Sequence, residues 1–192
     1  MKTLRPARVV GIGGSAGGLN AYKRLLAALP PKTGMAFVIV SHITPTASSQ
    51  LARILSRHTK MTTVVASDAM PIRADHVYVI PPNVDLFVES DTLKVISPRS
   101  QRNVQIDLFF TSLAKTLGAR AVGIILSGYD GDGTEGCRQI KAGGGTTFAQ
   151  DASAEVEMMP LGAQAAGCID FVLSPEDMAK ALIRIARRRK IA

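Results

Sequence analysis

The sequence predicts a doubly wound α/β fold: a mostly parallel sheet with helices on both faces and an antiparallel hairpin excursion. Two observations predict this class. Short apolar strands alternate with helical patterns, which is typical of a parallel sheet covered on both faces. The length of 192 residues and a hydrophobic content of 46% fit a single domain over residues 1–192 with a well-buried core.

The first part of the chain alternates strands and helices in a regular order. Strands are predicted over residues 8–13 and 35–40. The helix between them ends at Pro30. A turn around Pro45 precedes a second helix. The apolar residues that these two helices turn inward are Leu19, Tyr22, Leu25 and Leu26, then Leu51, Ile54 and Leu55.

The middle and the end of the chain are less regular. Four short extended segments, over residues 62–66, 77–80, 84–88 and 93–96, are interpreted as one further strand of the sheet and a hairpin. Helices are predicted over Gln105–Leu117, with Gly118 as the stop, and over residues 134–141. Strands are predicted over residues 121–126, 146–149 and 169–173. Ser174 is the predicted N-cap of a final helix that has Pro175 at its first position.

Polar residues follow the predicted strands, at the edge where parallel sheets bind ligands. They are Ser15, His42, Asp132 and Asp151. Because the carboxyl ends of parallel strands share one edge of the sheet, we expect these side chains to lie along that edge.

The glycine-rich turn over residues 11–18 fits two mechanisms. As a dinucleotide fingerprint it requires an acidic residue about 20 positions further on, but no Asp or Glu precedes Asp68. As a nucleophile turn, Gly13-x-Ser15-x-Gly17 raises the serine at a strand-to-helix junction and directs the amide of Ala16 at a developing oxyanion. The missing acid favours the nucleophile, although such glycines also serve tight packing alone.

His42 is the candidate general base, because it follows the second strand and reaches Ser15 if the first two strands are neighbours. His58, near a helix end, is expected to be solvated or to cap that helix. His76, at the start of a strand in the excursion, is expected to be structural.

The orienting acid is expected in the loop over residues 128–133. Asp130 and Asp132 can each hold an imidazole. Asp132 can also cap the helix that follows it. The residues alone leave this choice open.

The net charge of +8 is unevenly spread. The start of the chain is basic, and a basic cluster closes it: Arg184, Arg187, Arg188, Arg189 and Lys190. This charge pattern indicates an acidic protein partner, a nucleic acid or an anionic surface. Alternatively, the basic residues of the tail only complement the dipole of a final helix.

No signal peptide or membrane-spanning run is present, which predicts a cytoplasmic protein. Cys137 and Cys168 are expected to be reduced and structural.

Four motifs together resemble the catalytic domain of protein-glutamate methylesterases of the CheB type. The resemblance extends from about Val9 to Ile183. The motifs are Ile12-Gly-Gly-Ser-Ala-Gly-Gly18, Val40-Ser-His42, Ile125-Leu-Ser-Gly-Tyr-Asp-Gly-Asp-Gly133, and Gln150-Asp151 with Met159-Pro160.

The resemblance implies a serine esterase that demethylates glutamate methyl esters on chemotaxis receptors and often deamidates receptor glutamines. It assigns Ser15 as nucleophile, His42 as base and Asp132, not Asp130, as acid. The main-chain amides of Ala16 and Tyr129 would form the oxyanion site. No cofactor or metal is required. The implied partners are acidic receptor helices in the cytoplasm, with no nucleic acid and no membrane insertion.

The chain departs from the family pattern at three points. Tyr129 stands where many relatives carry Met, and residues 103–107 replace a pattern that usually begins Arg-Pro. Relatives usually carry an N-terminal phosphorylation-receiver domain, whereas the motif here begins at Ile12. The sequence is therefore interpreted either as a stand-alone esterase domain or as an excised piece, and control through an attached receiver is not assumed. A nucleotide-binding oxidoreductase and a non-catalytic binding module remain as alternatives.

Overall fold

A seven-stranded parallel sheet organises the protein, which the computed structural model describes over residues 5–42 and 48–187. In chain order the strands are β1 (Val9–Gly14), β2 (Ala36–Ser41), β3 (Thr62–Val65), β4 (Met70–Pro71), β5 (His76–Val79), β6 (Asp85–Glu89), β7 (Thr92–Ile96), β8 (Ala121–Ile125), β9 (Thr146–Gln150) and β10 (Phe171–Leu173). The sheet has the spatial order β10-β9-β8-β1-β2-β5-β3, and each neighbouring pair is parallel. A small antiparallel sheet has the order β4-β7-β6.

Helices cover both faces of the large sheet. They are α1 (Gly18–Ala27), α2 (Ser48–Leu55), α3 (Gln105–Leu117), α4 (Thr134–Ala142), α5 (Met158–Ala165) and α6 (Pro175–Arg187). One apolar cluster joins the sheet to α1, α2 and α6. The other joins it to α3, α4, α5 and the small sheet. The predicted doubly wound fold is therefore confirmed.

The central strands β1 and β2 are buried almost throughout, as expected for strands covered on both faces. α3 begins and ends at the predicted residues, and Gly118 follows it with a left-handed φ of 51°. The Ser174 hydroxyl accepts the Asp177 N–H at 3.2 Å, which confirms the predicted N-cap of α6. Arg184 and Arg187 lie in the last turn of α6, where cations complement the helix dipole. The predicted turn at Pro45 and the remaining basic residues of the tail lie outside the described residues.

The interpretation of the four middle segments was wrong in one respect. Two of them, β3 and β5, join the large sheet, and only β6 and β7 form the hairpin. His76 therefore opens a strand of the main sheet, where it pairs with Ala36 and Thr62. The connection from β3 to the parallel strand β5 contains the short β4 in place of the usual helix, so an alternation of helix and strand could not reveal it.

Helix α5 was not predicted. Pro160 and Gly162 weaken the helical propensity of this segment. Tertiary contacts hold its start, because the N–H of Met159 donates to the carbonyl of Gly128 at 2.9 Å. The buried thiols Cys137 and Cys168 lie near α4 and α5, and the Cys168 Sγ is 3.2 Å from the Ala163 carbonyl. No helix within the described ranges is long and apolar enough to cross a membrane.

Candidate active site

The turn between β1 and α1 presents Ser15 at the carboxyl edge of the sheet. Gly17 adopts a left-handed φ of 74°, which favours glycine, and a Cβ there would lie only 2.5 Å from the Ser127 Oγ. The Ser15 N–H donates to the Ser127 carbonyl at 2.8 Å, and the Gly18 N–H donates to the Ser15 carbonyl at 3.0 Å. The turn is thus tied to the end of β8 and leaves Ser15 partly exposed.

His42 follows the neighbouring strand at the matching height. β1 and β2 pair in parallel as far as Gly14 opposite Ser41, so Ser15 and His42 are each one residue beyond the last pair. Neighbouring strands lie about 4.8 Å apart. Within the described part of the chain, the Ser15 Oγ has no hydrogen-bond partner, so the serine–histidine hydrogen bond is not formed in this structure. Catalytic hydrogen bonds of this kind often shorten only in the substrate complex.

Asp132 binds the imidazole from a buried position. Its Oδ2 is 2.7 Å from the His42 Nε2, and its side chain is completely buried, whereas that of His42 is 10% exposed. The same carboxylate accepts the N–H groups of Ile106 at 3.0 Å and Asp107 at 2.8 Å, in the first turn of α3. A negative charge is favourable at a helix N-terminus, so the helix stabilises the carboxylate that holds the ring.

The sequence also allowed Asp132 to cap the helix that follows it. That prediction is wrong about which helix is capped. Asp132 caps α3, which precedes it in the chain. The following helix, α4, is capped by Asp107, whose carboxylate accepts the Gly136 N–H at 2.7 Å. An aspartate of α3 thus caps α4, and an aspartate of the loop before α4 caps α3. These two caps anchor the loop that carries the candidate acid.

Asp130 lies against the other nitrogen of the same ring. Its Oδ2 is 3.1 Å from the His42 Nδ1, although the two groups are not aligned as a hydrogen bond. Its Oδ1 accepts the Asp132 N–H at 3.1 Å. Both candidate acids therefore contact His42, and they differ in burial, because the Asp130 side chain is 28% exposed.

The surroundings of His42 raise its pKa above the ordinary value of 6.5. Burial acts in the opposite direction and alone would lower the pKa. The hydrogen bond to Asp132 and the negative charges of Asp130 and Asp132 outweigh burial, while the positive charge of Arg99 opposes them. The ring therefore holds its second proton more firmly than a free imidazole does.

Two main-chain amides beside Ser15 are available to a ligand. In the described part of the chain, neither the Ala16 N–H nor the Tyr129 N–H has a protein acceptor. The backbone before Tyr129 passes close to the serine, since a Cβ at Gly128 would lie 3.2 Å from the Ser15 Cβ and would collide with Met159. Amides that point at a developing oxyanion are each typically worth about 3–4 kcal/mol in the transition state.

Ser127 is a supporting residue that the sequence reasoning missed. It is fully buried, and its Oγ donates to the Ala16 carbonyl at 2.7 Å and accepts the Val156 N–H at 2.9 Å. Its own N–H donates to the Gln150 Oε1 at 3.1 Å. The available signal was its position, directly after a buried strand and inside the loop motif that carries Asp132.

The other polar residues considered from the sequence lie outside this cluster. Asp151 follows β9 at the same sheet edge, but its carboxylate accepts the Ser153 N–H at 3.0 Å in a local turn. The His58 N–H donates to the Leu55 carbonyl just after α2. The His76 Nδ1 is 2.9 Å from the Ala74 carbonyl, and its ring stacks on Tyr78.

Comparisons with known proteins identify the family of this chain. The family model described as CheB methylesterase matches residues 10–182. A protein-glutamate methylesterase/protein-glutamine glutaminase of Anaeromyxobacter dehalogenans is 36% identical over 186 residues, which are 94% of this chain and 54% of that protein. A Leptospira interrogans protein named for the same two activities is 36% identical over 178 residues, 91% of this chain and 92% of that protein.

The chain thus spans about half the length of the Anaeromyxobacter relative and nearly all of the Leptospira one. The crystal structure of the Thermotoga maritima CheB methylesterase catalytic domain superimposes with a TM-score of 0.86 at 25% identity, covering 93% of this chain and 98% of that one. The family and the fold expected from the four motifs are confirmed. The chain belongs to the CheB methylesterase family.

Proposed function

We propose that this protein hydrolyses glutamate methyl esters on chemotaxis receptors, with Ser15 as nucleophile, His42 as general base and Asp132 as orienting acid. The observation that carries the proposal is the buried 2.7 Å contact between Asp132 and His42, one strand away from the partly exposed turn of Ser15. The names of the Anaeromyxobacter and Leptospira relatives support the ester and amide substrates.

The reaction begins when the Ser15 Oγ attacks the ester carbonyl carbon. His42 accepts the serine proton through Nδ1, because Nε2 is committed to Asp132. The Ala16 and Tyr129 amides donate hydrogen bonds to the oxyanion of the tetrahedral intermediate. When the carbon–oxygen bond to the methoxy group breaks, His42 returns the proton and methanol leaves.

Water completes the cycle. His42 removes a proton from the water that attacks the acyl-enzyme. The second tetrahedral intermediate then collapses by breaking the carbon–Oγ bond, His42 returns the proton to the Ser15 Oγ, and the product leaves as a glutamate carboxylate after losing its acid proton to solvent. A receptor glutamine follows the same path with ammonia as leaving group. Every step uses side chains and amides of this chain and requires no metal or organic cofactor.

The rim of the site supports a protein substrate. Tyr129 and Met158 are 62% and 60% exposed, and Leu161 on the same helix as Met158 is 51% exposed. Tyr129 follows Gly128 in the chain, and α5, which carries the other two, begins where Met159 bonds to Gly128. Exposed apolar side chains around a polar centre are typical of protein–protein contacts.

The net charge of +8 and these exposed apolar side chains together fit an acidic, amphipathic helix of a receptor in the cytoplasm. We expect receptor binding to weaken as salt rises.

Release of methanol from a methylated receptor tests the proposal. Ser15→Ala should reduce turnover by several orders of magnitude, on the order of the 10⁶-fold loss seen when a catalytic triad is broken. Ser56→Ala is the matched control, because the exposed Ser56 hydroxyl donates to the Arg53 carbonyl and lies outside the proposed site. A fluorophosphonate probe should label the wild type and Ser56→Ala but not Ser15→Ala. Undiminished methanol release from Ser15→Ala would refute the assignment.

A further inference from the structure

The His42 ring lies between two carboxylates, one at each nitrogen. Asp132 is 2.7 Å from Nε2, and Asp130 is 3.1 Å from Nδ1. A catalytic triad needs only one of these contacts. The second involves the nitrogen that must receive the proton of Ser15, so Asp130 and Ser15 require the same atom of the ring.

The loop holds Asp130 in this position from one side. Its Oδ1 accepts the Asp132 N–H at 3.1 Å, which leaves Oδ2 directed at the ring. The neighbouring Gly131 is unpacked, since a Cβ there would meet nothing within 4 Å. Asp130 is also the more accessible of the two acids, with 28% of its side chain exposed against none of Asp132. A substrate that approaches Ser15 can therefore reach Asp130 but not Asp132.

We propose that Asp130 is a positioning residue that occupies the His42 Nδ1 in the substrate-free enzyme and must leave it before His42 can accept the proton of Ser15. The inference rests on the proposed esterase function. With a carboxylate at both nitrogens, the imidazolium form of the ring is favoured, because it bonds to Asp132 through Nε2 and faces the negative charge of Asp130 at Nδ1. An imidazolium has no lone pair and cannot act as a base. Activation releases the Nδ1 proton to water and frees that nitrogen for Ser15.

The charges around the ring favour this state. Burial alone would lower the pKa of His42, but the hydrogen bond to Asp132 and the two carboxylate charges raise it. The loop between β8 and α4 contributes both acids, and the segment after β7 contributes Arg99, whose positive charge acts against them. Residues 43–47, which follow His42 in the chain, have no ionisable side chain. The pKa is raised overall, so an excess of negative charge remains.

Asp130→Asn is the informative variant. The amide oxygen of Asn can still accept the Asp132 N–H, so the turn is kept while the charge is lost. An opposite charge at this range typically favours a protonated histidine by about tenfold or more. On the acid limb of the pH profile, kcat/KM should therefore rise about tenfold in Asp130→Asn. On the alkaline plateau, where His42 is already neutral, it should stay within about twofold of the wild type.

Asp68→Asn is the matched control. The exposed Asp68 carboxylate also accepts a main-chain N–H, that of Val95 at 3.0 Å, and it is not among the charges that act on His42. Its pH profile should coincide with that of the wild type. If Asp130→Asn also coincides with the wild type, Asp130 is only a turn residue and the inference is refuted. If the plateau falls by orders of magnitude, Asp130 is itself the orienting acid, which equally refutes it.

An NMR titration of the His42 ring separates this inference from the proposed function, because it needs no turnover. The titration midpoint should move to lower pH in Asp130→Asn and remain in place in Asp68→Asn. An unmoved midpoint refutes the pairing even if the protein hydrolyses methyl esters. A moved midpoint in a protein that releases no methanol supports the pairing and refutes the esterase proposal instead.

Discussion

Asp132→Asn replaces one oxygen by an NH₂ group at a point where three N–H donors meet. Oδ2 serves the His42 Nε2 and the Ile106 N–H, and Oδ1 serves the Asp107 N–H. Whichever way the Asn amide is turned, its nitrogen faces at least one donor. A buried N–H is then left without an acceptor, and the first turn of α3 loses its negative charge.

The expected loss of stability follows from these two changes. An unsatisfied buried donor costs about 1–3 kcal/mol, and a charge at a helix N-terminus contributes about 0.3–1 kcal/mol, rising to about 2 when it is buried. We expect the free energy of unfolding to fall by about 2–4 kcal/mol, a large share of the roughly 5–15 kcal/mol typical of a domain. If Asp132 is the orienting acid proposed above, kcat should fall by about 10⁴-fold, as in known Ser-His-Asp triads with this change, because a neutral amide cannot stabilise the imidazolium.

Urea unfolding and methanol release measure the two effects on the same protein. Asp85→Asn is the control, because Asp85 is also a buried acid near the start of α3, bonded to the Gln105 side chain and the Ser100 N–H, without contact to His42. It should lose stability while the folded fraction keeps its turnover. A folded Asp132→Asn protein with kcat within tenfold of the wild type refutes the catalytic reasoning, and unchanged stability refutes the capping reasoning.

Three further predictions concern the support of the site and its pH dependence. Ser127→Ala leaves the Val156 N–H without its acceptor and removes the hydrogen bond to the Ala16 carbonyl. We therefore expect the free energy of unfolding in urea to fall by about 1–3 kcal/mol and kcat to fall as well. A variant as stable as the wild type would contradict the supporting role of Ser127. Gly128→Ala places a methyl group against Met159, beside Ser15, and should lower kcat. The double variant Gly128→Ala/Met159→Ala should recover part of the lost kcat. If kcat does not recover, the collision with Met159 is not the cause of the loss. Because the pKa of His42 is raised above 6.5, its contacts with the acids stabilise the fold fully below about pH 6.5 and less as pH rises through the folded pKa. The difference in unfolding free energy between the wild type and His42→Gln should therefore shrink as the pH rises above about 6.5. A difference that stays constant with pH would show that the ring does not titrate as described.

Much of the fold could be predicted because its signal is local. The predicted bounds of α3 match the observed helix at both ends, because its buried positions repeat at helical spacing over Gln105–Leu117 and a glycine follows. Helix α5 could not be predicted, because Pro160 and Gly162 weaken its own propensity and its start depends on Gly128, thirty residues earlier in the chain. The membership of β5 in the large sheet was missed for a related reason, since strand pairing is a contact between distant residues.

For the site, the sequence alone determined that Ser15 and His42 follow apolar strands and that no ribose-binding acid follows the second strand. Those features are local, and they were enough to favour a nucleophile turn. Asp130 and Asp132 are two residues apart in one polar loop, so no local feature separates them. The tertiary structure decided their places. Asp132 caps the start of α3 and contacts the Nε2 of His42. Asp130 is partly exposed to solvent and contacts the Nδ1 of the same ring. The difference arises because helix amides, burial and the two faces of a single imidazole come together only when distant segments pack.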